Sequence, residues 1–165
     1  MPERVLTVRV RIVVADQAEA SFYDMASFEG ALQPAGRLSD PKAHLHDRDF
    51  KSDRPGRVFD HAPASTGRRG AVAHHATGGE ETPRKHEARV FAQQVARELE
   101  HGLQHGQFDR LVIMAAPTFL GLLRAALPSS VTERVVTELH KDLVHASSGE
   151  VREHIPREVF RPTLE

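Results

Sequence analysis

Apolar and polar positions alternate over residues 4–15, RVLTVRVRIVVA: Leu6, Val8, Val10, Ile12 and Val14 share one face, and Thr7, Arg9 and Arg11 the other. A period of two predicts a long, half-buried strand. Asp16-Gln17 suits a turn, a second strand is expected over about Ala20–Asp24, and a weaker third over about Phe28–Gln33, ended by Pro34 and Gly36. Three short strands with tight links predict an antiparallel meander.

Periodicity then fails. Across residues 40–81 the only large apolar residues are Leu45, Phe50, Val58, Phe59 and Val72, set among glycine, proline, histidine and charge. Such a stretch predicts a long, flexible loop. Thr82 offers an N-cap with Pro83 at the first helical position. Ala88, Phe91, Ala92, Val95, Leu99 and Leu103 follow at helical spacing, with Gly106 as the stop. Phe108–Ala115 is an apolar run suited to a central strand. Pro117–Leu127 predicts a second helix closed by Pro128, and Val135–His140 a last strand. Ser147 and Glu150 predict a capping box for a short helix near Val151–Ile155. The tail from Pro156 is expected to fray or to pack late.

The order β-β-β, long loop, α-β-α-β-α implies an α/β fold with a mixed five-stranded sheet and helices on its faces. Right-handed crossovers and neighbouring sequential strands favour the order 3-2-1-4-5, a ribonuclease-H-like topology. Residues 1–156 read as one domain and residues 157–165 as a tail.

Composition narrows the partners. The formal net charge is -1, so an RNA-binding face has to be a local patch. The chain has no cysteine, which excludes disulfides and thiolate metal sites. Tryptophan is absent and Tyr23 is the only tyrosine, which poorly supplies a base-stacking platform. Ala18-Glu19-Ala20 mimics a cleavage site, but Arg4, Arg9 and Arg11 interrupt the apolar run before it. A cytoplasmic location without membrane contact is therefore the expectation. Oligomeric state is left open.

Candidate chemistry is sparse. Lys51, Arg54, Arg57, Arg68 and Arg69 cluster in the long loop and can contact phosphates. Asp47, Asp49, Asp53 and Asp60 lie among them and can pair with them instead, while Pro55-Gly56 forms a turn either way. His44 and His46, His74 and His75, and His101 and His105 have ligand-like spacing without a third ligand. His86-Glu87 lacks the second histidine of a zinc-protease helix. No metal or cofactor is assigned. A metal-dependent nuclease would need carboxylates converging at strand ends. Asp16 ends the first strand, but Asp109 starts the central one, which leaves Glu87 and Asp142 as partners only with favourable geometry. No nucleophile elbow is present, Ser147 reads as a cap, and Met25, Met114, Leu120, Leu122 and Leu123 read as core.

The segment KAHLHDRDFKSDRPGRVFD at residues 42–60 resembles the hallmark of the bacterial host attachment protein family. FDRLVIMAAPTFLGLLRAAL at 108–127, ELHKDLVH at 138–145 and KHEARVFAQQVARELE at 85–100 resemble it as well, so the likeness runs from about Val5 to Ile155. That family is similar to the catalytic middle domain of archaeal and eukaryotic peptide-chain release factors and their ribosome-rescue relatives. The resemblance implies a ribonuclease-H-like fold and a loop ahead of a long helix whose Gly-Gly-Gln tip promotes peptidyl-tRNA hydrolysis. The matching positions here are Gly78, Gly79 and Glu80. Glu80 replaces the glutamine, and a carboxylate is repelled by RNA phosphates. Gly67 and Gly70, around Arg68-Arg69, form a second candidate tip, also without glutamine. The expectation is a domain acting at the ribosome or on RNA, whether or not it is catalytic. A non-catalytic protein-binding module is the alternative, and the nuclease a second one.

Overall fold

The computed structural model describes residues 7–44 and 81–162. Five strands form one sheet in the order β3-β2-β1-β4-β5. These are β1 (Val10–Ala15), β2 (Glu19–Met25), β3 (Gln33–Ser39), β4 (Arg110–Ala115) and β5 (Val135–Leu139). β1, β2 and β3 pair antiparallel, while β4 joins β1 and β5 in parallel. This is the expected mixed sheet of ribonuclease-H-like topology.

Helix α1 (Pro83–Gln104) opens as its sequence predicts, with the Thr82 side chain accepting from the Lys85 N–H at 3.2 Å. It stops at Gly106, whose φ of +64° is the left-handed conformation glycine adopts freely. Helix α2 (Pro117–Ala126) follows β4, and α4 (Ser148–Glu153) carries the complete Ser147/Glu150 capping box. A one-turn helix, α3 (Ser129–Thr132), was not expected; Pro128 closes α2 and also starts this turn, whose Val131 is fully buried.

The sheet is covered on both faces, and β1 shows the consequence. Val10, Ile12 and Val14 pack on one side with Val112, Met114 and the C-terminal Val144, Val151, Ile155 and Val159. Val13 and Ala15 pack on the other beneath Phe91, Val95, Leu99, Phe119 and Leu123 of α1 and α2. The predicted half-buried strand is thus shorter and buried on both faces. The face expected to meet water lies under the long helix, so Arg11 is enclosed, at 3 % exposure.

The third strand corrects the sequence reading. It spans Gln33–Ser39 rather than ending at Pro34, and it contains both Pro34 and Gly36. As the sheet edge it needs no N–H from Pro34 on its outer side. Its register to β2 shifts between Phe22 and Tyr23, where Gly36 takes φ +135°. Residues 26–30 form bends and a turn, and residues 31–32 link them to β3. Within the expected loop, Pro41–His44 forms a 3-10 turn.

The chain is held against the domain as far as Arg161. Arg157–Phe160 form a 3-10 turn with Val159 buried. Arg110 Nη1 donates to the carbonyls of Val159 and Arg161 at 2.7 and 2.6 Å, and Arg157 lies 4.9 Å over the Phe28 ring.

Candidate functional site

In this topology β1 hands the chain to β2 on one side, and β4 leads through α2 to β5 on the other. The two connections diverge and leave a crevice at the carboxyl ends of β1 and β4, the position where open α/β sheets bind ligands. A cleft of about 770 Å³ occupies it. Asp16 and Gln17 line it from the end of β1, Ala116 and Thr118 from the end of β4, and Asp142 from beyond β5. Thr82, Arg84 and Lys85 of the first turn of α1 form another wall. Ala88, Phe119, Gly121 and Leu122 supply apolar surface.

Charges here are partly committed. Asp16 Oδ1 accepts from the N–H groups of Ala18 and Glu19, both at 2.7 Å, which is a turn-stabilising role. Asp142 Oδ1 meets the Val144 N–H at 3.5 Å, at the outer limit of a hydrogen bond. Arg84 and Lys85 form no side-chain ion pair or hydrogen bond among the described residues, and the first turn of α1 holds no acidic residue.

Beside the cleft, contacts fix the chain on both sides of residues 45–80. Before that segment, Lys42 Nζ lies 3.7 Å from Glu87 Oε1. After it, Glu81 accepts from Arg89 Nε and Nη2 at 2.9 and 3.0 Å and meets His86 Nδ1 at 3.3 Å. The Arg89 guanidinium holds the Glu81 carboxyl below its ordinary range, against a smaller opposing push from desolvation. Both flanks are thereby tied to the first two turns of α1.

The nuclease reading finds only part of its geometry. Asp16 and Asp142 both line the cleft, but Asp109 sits at the opposite end of β4 and pairs with Arg9, with Nη2–Oδ1 at 3.2 Å. Glu87 faces Lys42. Among the described residues, no three histidines or carboxylates gather as a metal-binding group. His101 and His105 stack with ring centroids 4.1 Å apart, and His105 Nδ1 lies 2.8 Å from the His101 carbonyl. Gly78, Gly79 and Glu80, the basic Lys51, Arg54, Arg57, Arg68 and Arg69, and His46, His74 and His75 lie outside the described residues.

Sequence reasoning passed over Arg84, Lys85, Gln17 and Thr118. Their signal was positional: each lies within three residues of a predicted strand end or helix start, at a crevice defined by strand order.

Fold and cleft define a mixed α/β domain of ribonuclease-H-like topology, open at the carboxyl ends of its parallel strands. Residues 11–155 match the family described as "Protein required for attachment to host cells", and the chain belongs to that family. No curated protein sequence matches it. Among solved structures it is similar to one described as "Archaeal protein", with a TM-score of 0.44 and 9% identity over 91% of this chain. The chain spans only 36% of that larger one, and the likeness bears on neither activity nor partner. No helix among the described residues is long and apolar enough to cross a membrane.

Proposed function

We propose that this member of the host attachment family is a release-factor-like domain acting on RNA, at or near the ribosome, through the segment between its third strand and its long helix. Lys51, Arg54, Arg57, Arg68 and Arg69 contact phosphates, and Gly78 and Gly79 give the backbone freedom for close approach. What supports this most is the fixing of both flanks of residues 45–80 on the start of α1, by Lys42–Glu87 and by Glu81 with Arg89 and His86. Flanks that meet α1 within its first two turns bring the two ends of the segment near one another, which lowers the cost of closing a loop there. Hydrolysis is not part of the proposal, because Glu80 places a carboxylate where the resemblance requires a glutamine amide. The attachment named in the family's description is, on this reading, an indirect outcome of action on translation.

Co-sedimentation of the full chain with ribosomes from lysate tests this. At low salt the chain is expected in the ribosomal fractions, and raised salt or Arg54→Glu with Arg57→Glu should release it. Absence from those fractions at low salt refutes the reading. Capture of one stoichiometric protein partner without RNA selects the protein-binding module instead.

A further inference from the structure

We propose that the cleft between the carboxyl ends of β1 and β4 binds a nucleoside phosphate, either free or at the end of an oligonucleotide. A volume of about 770 Å³ lies within the range of small-molecule sites, roughly 300–1,000 Å³. Its lining combines three chemistries that few ligands match together.

Arg84 and Lys85 bring two cations that form no side-chain ion pair among the described residues. Such cations suit a phosphate, which arginine can engage with two parallel hydrogen bonds. Asp16 and Asp142 bring two carboxylates from the strand ends. Asp16 uses Oδ1 for its turn, while Oδ2 accepts no hydrogen bond among the described residues. Carboxylates accept from hydroxyls, as they do from the ribose of nucleotides bound at such crevices. Half-buried Leu122, with Ala116 and Gly121 beside it, offers apolar area for a ring.

Alternatives fit worse. Inorganic phosphate can engage Arg84 and Lys85 but brings nothing to the apolar wall at Leu122. An apolar ligand would desolvate Arg84 and Lys85, which form no side-chain ion pair among the described residues, and give them nothing in return. An anion joined to a hydroxyl-bearing, ring-containing body satisfies all three. The inference is independent of the RNA reading, because a cleft that takes free nucleotide does so whether or not the chain meets ribosomes.

Calorimetric titration of the full chain provides the test, with AMP, GMP, adenosine, inorganic phosphate, and one oligoribonucleotide with and without a 5′-phosphate. Saturable binding of AMP or GMP is expected, with adenosine and inorganic phosphate each at least about tenfold weaker. Arg84→Ala with Lys85→Ala should weaken nucleotide binding about tenfold or more and leave adenosine unchanged. Both residues are exposed, so the double variant keeps the parent's thermal midpoint and a loss of binding is not a loss of fold. Saturation by the phosphorylated oligonucleotide alone, with the same sensitivity to the variant, assigns the site to a nucleic-acid end. No saturation by any of these probes up to about 10 mM overturns the proposal, as does phosphate binding as tightly as AMP, or a double variant that binds like the parent.

Discussion

The two ends of α1 have opposite characters. At its start, Thr82, Arg84 and Lys85 line an open cleft, and among the described residues the side-chain bonds of the first turn are a cap and the exposed cluster around Glu81. At its finish the helix is sealed to the sheet. Arg11 donates to both oxygens of Asp24 at 2.8 and 2.9 Å and to Gln107 Oε1 at 3.1 Å, and its guanidinium lies 5.1 Å from the Phe108 ring centroid. Gly102 is buried against it, and a Cβ added there would stand 2.4 Å from Arg11 Nη1. One end of the helix is left free for a ligand, and the other is spent on holding the helix in place. A buried charge tolerates little change because its desolvation is offset only while every partner stays in position.

The largest way to break the contrast is Arg11→Ala. It leaves Asp24 and Gln107 without their donor and opens space beneath α1. A loss of about 3 kcal/mol is expected in urea unfolding, the lower end for a broken buried pair because the Asp24 side chain keeps 35% exposure. A loss below about 1 kcal/mol would mean that the sealed end is no more rigid than the open one.

Gly102→Ala comes next, and its sign is diagnostic. In an open helix interior this change stabilises by about 1 kcal/mol. Here Arg11 is pinned by Asp24 and Gln107 and cannot step aside, so a loss of about 1–3 kcal/mol is expected. In an Arg11→Met background most of that penalty should vanish, and unfolding of the four proteins of this cycle measures the coupling.

The smallest effect concerns acid. A carboxylate at each end of α1 is held below its ordinary range by arginine, Glu81 by Arg89 at the start and Asp109 by Arg9 past the finish. For Asp109, desolvation is the largest influence and pushes up, but hydrogen bonds from the Arg9 side chain and backbone, with the charges of Arg9 and Arg134, together outweigh it. Folded values below the unfolded ones add stability above roughly pH 4, and that stability is lost as pH falls through the folded values. Carboxyl NMR titration should therefore find both groups titrating below free carboxylates. Arg9→Met should raise the Asp109 midpoint, since the side-chain hydrogen bonds are lost while the desolvation remains; an unchanged midpoint would show that the Arg9 side chain is not its partner in solution.

Much of the frame was readable from local pattern. Thr82-Pro83 and Gly106 mark both ends of α1, Ser147 and Glu150 mark the cap of α4, and the strand sequence with its loop leads to the observed order. The misreadings have one cause. Pro34 and Gly36 stop an interior strand but not an edge strand, and alternation in β1 implies a wet face only if nothing covers it. Edge and cover are properties of the assembled sheet. The cleft was equally hidden, since Asp16, Arg84, Thr118 and Asp142 share no motif.

By itself, then, the sequence determined the bounds of the long helix, the cap of α4 and the presence of the inner strands, because caps, prolines and periodicity act within a few residues. Only the tertiary structure decided that Arg11 is enclosed and that four separate segments line one cleft. Burial and convergence depend on which distant segments meet, and no local pattern carries that information.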